Sequence, residues 1–477
     1  MTVEWRKTPA DHVIVVLGAT GDLAKKKLMP ALFHLHMEGL MPKRYAVIGT
    51  SKDEMSDDEF REFARKAVDD PPKSKEGQWD DFSARLSYVA SEFGPDDHSS
   101  LGDAVRKAEA DVGGDPCRLF YLAVPPPAFG PITEGLEAAG LVERARVVYE
   151  KPFGWDMDSF KQLNETVQDA LDEKQVYRID HFLGKETVQN ILAFRFANGM
   201  FEPIWNRDHI DHVQIDVPED IGIGARGGFY EKTGAFRDMI VTHLFQVLSF
   251  VAMEPPYALD EDALLDEKSK VFESMIPLKP DDVVFGQYEG YRDEQGVAAD
   301  SKTETFAAAK VAVDNWRWSG IPFYLRTGKR MVEKRWAVTL AFREPPKQMF
   351  RKVEVQGRSR NHMTMEMGPN EGISVSFLAK IPGPSIELGP AHMDFRYAGS
   401  FGSDLIEAYE RLIHDALIGD RTLFTRCDGV ERVWELVEKV IDDGLSPYPY
   451  QQGSWGPKEA DELIAPRVWH LPEPHVP

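Results

Sequence analysis

A chain of 477 residues, 42% hydrophobic and 28% charged, is long enough for two or more domains and a sizeable core. Its formal net charge of −23 argues against nucleic-acid or anionic-membrane binding, because so acidic a surface repels both, and it means that an anionic substrate would need a local basic pocket. Two distant cysteines, Cys117 and Cys427, form neither a disulfide framework nor a metal pattern, and with a polar stretch from Met1 to His12 that lacks a signal-peptide core they point to a reducing cytoplasm.

Val13-Ile14-Val15-Val16-Leu17 is a continuous apolar run, the pattern of a strand buried on both faces of a parallel sheet. It leads into Gly18-Ala19-Thr20-Gly21-Asp22-Leu23-Ala24, after which Leu28, Leu32 and Leu35 keep helical spacing. Strand, glycine turn and helix in that order are the context of a dinucleotide site. Gly18 permits the tight turn, Gly21 the approach of a pyrophosphate, and Ala24 close helix packing, with the turn's N–H groups facing the phosphates. On spacing alone the turn is equally that of any α/β protein. Tyr45 to Gly49 reads as the second strand. Thr50, Ser51 and Lys52 follow where an NAD site usually carries an acid, so the end of this strand suits the 2′-phosphate of NADP. Lys52 offers a point charge rather than a planar fork, so only modest discrimination against NAD is expected.

A long acidic helical stretch is expected from Asp57 to about Ala110. Strands follow at Leu119 to Val124, closed by Pro125-Pro126-Pro127, and at Val147 to Tyr149, closed by Glu150-Lys151-Pro152-Phe153-Gly154. The Lys151–Pro152 bond is a candidate for cis. Lys151 would stand at the switch from cofactor to substrate, although the same tripeptide in isolation reads as an exposed turn. Arg178-Ile179-Asp180-His181-Phe182-Leu183-Gly184-Lys185-Glu186 then crowds an acid, an imidazole and an ammonium around a flexible glycine. If this turn is helical, His181 and Lys185 share a face and can meet one phosphate. Asp180 suits an orienting partner for a base elsewhere. The plain alternative is a solvated helix start.

Asp211 to Pro218 alternates as a half-exposed antiparallel strand would, ending at Glu219. Gly222 to Gly228 reads as a flexible loop. The helix Arg237 to Gln246 is apolar around His243, and a lone histidine there is ordinarily a satisfied core residue. The apolar stretch near Val241 to Met253 reads as a buried helix, and no run reaches membrane-spanning length. Phe323 to Arg326 meets the basic turn Thr327-Gly328-Lys329-Arg330, where Arg330 and Arg335 read as solvated, and further strands are expected at Trp336 to Phe342 and Ile373 to Phe377. The fold class is therefore α/β plus α+β: a Rossmann-type dinucleotide-binding domain over 1–177, then an α+β domain with a large antiparallel sheet over 178–477.

Several of these stretches together resemble the glucose-6-phosphate dehydrogenase family. Asp180 to Glu186 is similar to its signature, with Phe182 where Tyr is usual. The string from Gly18 to Pro30 resembles its cofactor loop, and the segment around His243 its catalytic-base segment. The resemblance runs from about Val13 to Asp443. It implies a cytoplasmic homodimer or homotetramer that oxidises D-glucose 6-phosphate to 6-phospho-D-glucono-1,5-lactone, the opening of the pentose phosphate pathway, with NADP and NAD as the weaker alternative. It implies His243 as general base and Asp180 as its partner. It assigns Lys151, His181, Lys185, Glu219, Asp238, Lys329 and Lys334 to the substrate, His181 and Lys185 to its phosphate. It assigns Gly18, Thr20, Gly21, Asp22, Leu23, Ser51, Lys52, Tyr121 and Lys151 to the cofactor, and no metal. The chain departs from the pattern at Phe182, which lacks a hydroxyl, and at Gly368, where some members carry a substrate-binding Gln before Pro369-Asn370-Glu371. Two other readings use the same motifs. A sugar or inositol dehydrogenase of the Gfo/Idh type shares the Rossmann domain and Glu-Lys-Pro but gives no reason for the His181/Lys185 pair. A non-catalytic NADP-sensing regulator would bind nucleotide without turnover.

Overall fold

The structure, a computed structural model, describes residues 7–68, 76–347, 349–350, 361–401 and 407–470, so Met1 to Arg6 of the polar N-terminal stretch lie outside it. Its strands are β1 His12–Leu17, β2 Tyr45–Ser51, β3 Leu86–Ala90, β4 Cys117–Leu122, β5 Ala145–Tyr149, β6 Val176–Ile179, β7 Ile210–Pro218, β8 Val283–Tyr288, β9 Phe306–Ala312, β10 Pro322–Gly328, β11 Trp336–Phe342, β12 His362–Gly368, β13 Gly372–Lys380, β14 Leu388–Arg396, β15 Phe424–Thr425 and β16 Tyr448–Tyr450. Two compact units divide them. One comprises Met1–Gly184, Ala258–Leu265 and Ile406–Glu431, and the other Lys185–Tyr257, Asp266–Leu405 and Arg432–Pro477. The first boundary thus falls at Gly184 rather than at 177, and the chain returns twice to the first unit. A division into two continuous stretches cannot express such returns.

The first unit is built on a seven-stranded sheet in the order β15-β6-β5-β4-β1-β2-β3. Its six N-terminal strands are mutually parallel, and only β15 runs antiparallel, against β6. The order β3-β2-β1-β4-β5-β6 is that of a doubly wound dinucleotide fold, and its direction reverses between β1 and β4, where ligands bind in such sheets. All six residues of β1 are buried, as a continuous apolar run requires. The long helix expected from Asp57 is instead three helices, Asp57–Ala67, Glu76–Ser83 and Ser99–Val112, with β3 between the last two. The edge strand Leu-Ser-Tyr-Val-Ala is short and only half-buried, so its period-2 signal is lost among acidic helical neighbours. The Lys151–Pro152 bond is cis.

The second unit holds a nine-stranded sheet in the order β14-β13-β12-β11-β7-β10-β9-β8-β16. Neighbours are antiparallel except β7 with β10 and β8 with β16. The expectation of a half-exposed strand at 211–218 is corrected: β7 is central and nearly all of it buried, antiparallel to β11 as expected but parallel to β10. Its alternation marks which polar side chains are partnered inside. Gln214 Nε2 lies 2.9 Å from His212 Nε2, and Asp216 accepts from Arg326 Nε at 2.8 Å. Gly227–Ala252 is, by length and composition, a helix able to cross a membrane, but 83% of its apolar window is buried within the protein, so it is a core helix.

Candidate active site

In the first unit, β1 ends in the glycine turn. Gly18 has φ 82°, and a Cβ there would collide with the carbonyl of Ala123 just beyond β4, so only glycine fits. At Gly21 a Cβ would touch only the Gly18 carbonyl oxygen, 3.2 Å away, leaving an open cradle that a side chain would fill. Ala24 is fully buried, which keeps the following helix close to the sheet. One expectation changes. The amides of Gly18 and Ala19 already donate to the Thr50 carbonyl at 2.8 and 3.1 Å, and that of Gly21 donates to Gly18 at 3.0 Å. The amides suited to phosphates are those of the first helical turn, Asp22 and Leu23, where intrahelical acceptors are lacking. The turn therefore fits a dinucleotide on steric and donor grounds.

The end of β2 carries the ribose-side groups. Thr20 Oγ1 lies 3.0 Å from Ser51 Oγ and donates to Asp53 Oδ2 at 3.2 Å. Ser51 Oγ lies 2.8 Å from the Tyr88 hydroxyl, which donates to the Asp53 carbonyl at 2.7 Å. Lys52 is exposed and pairs with Glu92 at 2.9 Å. Hydroxyls and a cation are thus presented together, with two carboxylates at their margin. On β4, Tyr121 is almost wholly buried and its hydroxyl donates to Glu150 Oε1 at 2.6 Å. Burial pushes the Glu150 carboxyl up, while the Tyr121 bond and the neighbouring Lys151 pull it down. Tyr121 therefore turns its hydroxyl inward, onto the residue preceding Lys151.

The segment after β6 is a loop, not a helical turn. Asp180 is buried and closes the loop, its carboxylate accepting from the Phe182 amide at 2.9 Å and its carbonyl from the Leu183 amide at 3.0 Å. His181 stacks at 6.2 Å on Tyr409, a residue of the C-terminal helix Ala408–Ile418. Phe182 is 3% exposed, so the residue that departs from the family pattern is an interior one. Gly184 is not there for flexibility: a Cβ would meet the Ala408 carbonyl oxygen at 2.8 Å. Lys185 stands, in extended conformation, at the N-cap position of the helix Glu186–Phe196, and His181 lies in the turn before it, so His181 and Lys185 do not share one helical face.

In the second unit, the core helix changes winding over Phe236–Leu244, where it becomes a π-helix. Its i→i+5 hydrogen bonding sets Asp238 and His243 about one turn apart, whereas an α-helix would turn them to different faces. His243 is fully buried and Asp238 half-buried. Beyond the end of β7, Glu219 is ion-paired with Lys329, which follows β10, and the Lys329 ammonium lies 5.9 Å from the Tyr230 ring centroid. Tyr230 is buried; burial first, then the charges of Asp238 and Glu304, push its phenol well above the ordinary range. Glu219, Asp238, Lys329 and Tyr230 thus bear on one another, and Tyr230 carries no motif that sequence reasoning could have used. Lys185 and Lys334 also converge: their ammonium groups lie 3.0 and 5.4 Å from the centroid of the Trp336 ring. The sequence marks Trp336 only as the start of a strand. Arg335, expected to be solvated, instead pairs with buried Glu366 at 3.1 Å, while Arg330 is more than a third exposed.

Known proteins match nearly the whole chain. Residues 15–190 match the family model "Glucose-6-phosphate dehydrogenase, NAD binding domain", and residues 192–470 match "Glucose-6-phosphate dehydrogenase, C-terminal domain". The chain is 41% identical over 481 residues to the glucose-6-phosphate 1-dehydrogenase of Chlamydia pneumoniae, covering 95% of this chain and 94% of that protein. It is 40% identical over 470 residues to the cytoplasmic glucose-6-phosphate 1-dehydrogenase 5 of Arabidopsis thaliana, covering 94% and 90%. Among solved structures it resembles the Mycobacterium avium glucose-6-phosphate 1-dehydrogenase, with a TM-score of 0.87, 37% identity and coverage of 98% and 100%. A glucose-6-phosphate dehydrogenase in complex with its substrate glucose-6-phosphate matches with a TM-score of 0.90, 33% identity and the same coverage.

Proposed function

The chain belongs to the glucose-6-phosphate dehydrogenase family, and from that premise we infer that it oxidises D-glucose 6-phosphate at C1 to 6-phospho-D-glucono-1,5-lactone. The reading from fold to reaction is supported most by one observation: a fully buried imidazole, His243, one π-helical turn from the carboxylate of Asp238.

Loss of hydride from C1 leaves positive charge there unless the 1-hydroxyl gives up its proton as the carbonyl forms. In this proposal His243 takes that proton, as an imidazole of near-neutral basicity suits the step. Asp180 favours the resulting imidazolium, the part an acid plays beside a catalytic histidine. Asp238 and Glu219 accept hydrogen bonds from sugar hydroxyls, because each carboxylate oxygen offers several acceptor positions. Lys329, ion-paired with Glu219, directs that carboxylate, and its ammonium adds a donor for the substrate. His181, Lys185 and Lys334 bind the 6-phosphate, and Lys151 stands between substrate and cofactor. The bound dinucleotide supplies the hydride acceptor. Asp22 and Leu23 would hold its pyrophosphate, and Thr20, Ser51 and Lys52 its 2′-phosphate, so the cofactor assigned is NADP, with NAD accepted more weakly.

We place the protein in the cytoplasm, a reading supported by two free thiols, Cys117 and Cys427, and we assign it a homodimeric or homotetrameric state. The test is absorbance at the reduced-nicotinamide band with glucose 6-phosphate or glucose, each with NADP or NAD. Turnover with glucose 6-phosphate and NADP, little with NAD and none with glucose, is expected. Turnover with glucose alone would return the sugar-dehydrogenase reading.

A further inference from the structure

Trp336 opens β11, and in the β11–β12 pairing it stands opposite Gly368. A Cβ at position 368 would lie 3.4 Å from Cε3 of the indole, ordinary van der Waals contact, so the ring packs directly against the glycine. The ring so accommodated is half-buried and lies within reach of two cations. Lys185 Nζ is 3.0 Å and Lys334 Nζ 5.4 Å from its centroid. An ammonium over an indole face is held by the ring quadrupole. A lysine has a flexible four-carbon stem, and ordering two of them around one anion is entropically costly. A ring that gathers both in advance lowers that cost before the anion arrives.

We propose that Trp336 is a positioning residue for the substrate phosphate: paired with Gly368, its indole gathers Lys185 and Lys334 so that both ammonium groups are ordered for one dianionic ester. This rests on the reading above that these lysines bind the 6-phosphate. Lys185 has a second claimant, since its charge also acts on Glu371, whose carboxyl burial pushes up and Lys185 pulls down. The proposal assigns the ordering to the ring, not to that carboxylate.

The test compares Trp336→Leu, Trp336→Phe, Glu371→Gln and Lys185→Ala in the full-length protein, with inorganic phosphate as a competitive inhibitor. Trp336→Leu should raise KM for glucose 6-phosphate roughly five- to tenfold and weaken phosphate inhibition in parallel. Its kcat should stay within about twofold and KM for the dinucleotide should not move. Trp336→Phe, which keeps an aromatic face, should recover most of the loss, and it serves as the folded comparison if Leu destabilises the chain. Glu371→Gln should leave KM for glucose 6-phosphate near the parent value. An unchanged KM in Trp336→Leu, beside a raised KM in Lys185→Ala, overturns the proposal and leaves the phosphate-site reading standing. Unchanged KM in both removes that reading and the proposal with it. A Phe variant no better than Leu, or a Glu371→Gln loss matching that of Leu, also overturns it.

Discussion

At the scale of single residues, His243 and Lys52 make separable claims. His243 is fully buried in the π-helical turn, and Asn in its place keeps a polar side chain of similar size but no basic nitrogen. His243→Asn should lower kcat by two to four orders of magnitude, roughly what a general base contributes, with substrate binding largely retained. Steady-state kinetics with a parallel binding titration reads the two apart, and an unchanged kcat removes His243 as the base. Adding Asp180→Asn should cost far less than in the parent protein if the two act as one unit, a coupling that a double-mutant cycle measures. Lys52 is exposed, and its pair with Glu92 joins two solvated side chains, so its removal leaves no buried charge behind. Lys52→Ala should therefore weaken NADP binding about tenfold and leave NAD binding unchanged. Equal loss for both cofactors would mean that Lys52 does not read the 2′-phosphate.

Among the elements, the core helix is shaped by one buried acid. Gly234 takes φ 61° where the helix kinks, and Glu304 fills the space a side chain there would need. The Glu304 carboxylate accepts from the Phe236 amide at 3.0 Å, and its carbonyl accepts from the Ala235 amide at 2.9 Å, so this residue anchors the start of the π-helical segment that carries Asp238 and His243. Burial raises the Glu304 carboxyl from 4.5 to about 7. The folded chain then keeps a proton that the unfolded chain has lost, between about pH 4.5 and 7. Raising pH through that window lets the unfolded chain shed this proton while the folded chain holds it, and stability falls by about 3 kcal/mol from this group alone. Glu304→Gln keeps an acceptor for the Phe236 amide and should flatten that part of the denaturant-midpoint profile. A slope unchanged from the parent would show that Glu304 ionises as freely folded as unfolded. The strands carry a related lesson. β7 alternates as a one-sided strand would, yet lies between β11 and β10, because His212, Gln214 and Asp216 find partners inside. Periodicity reports polarity, and burial follows it only where polar groups lack internal partners.

For the whole molecule, the formal charge of −23 sets the background against which a phosphate ester must be captured, so the lysines proposed above to meet the substrate, Lys151, Lys185, Lys329 and Lys334, would act against the average field rather than with it. The proposed homodimer or homotetramer should sediment at two or four times the 53.9 kDa chain mass at micromolar concentration. A species of single-chain mass that remains fully active would overturn that assignment.

The sequence by itself determined the nucleotide-binding strand and turn, because Val13 to Leu17 and Gly18 to Ala24 are local signals: a buried parallel strand must be apolar throughout, and Gly18 must adopt a conformation other residues resist. It also carried the family, through contiguous motifs long enough to be specific. The tertiary structure decided what depends on residues far apart in the chain. It put the unit boundary at Gly184, returned Ile406–Glu431 to the first unit, and made β3 and β15 the edges of its sheet. It set Tyr230 beside Lys329, and Lys185 and Lys334 beside Trp336. No spacing announces such neighbours, since strand pairing and side-chain packing bring together positions that sequence distance leaves unrelated. Even Gly184, visible as a glycine from the start, acquired its reason only when the Ala408 carbonyl was found in the space its side chain would have needed.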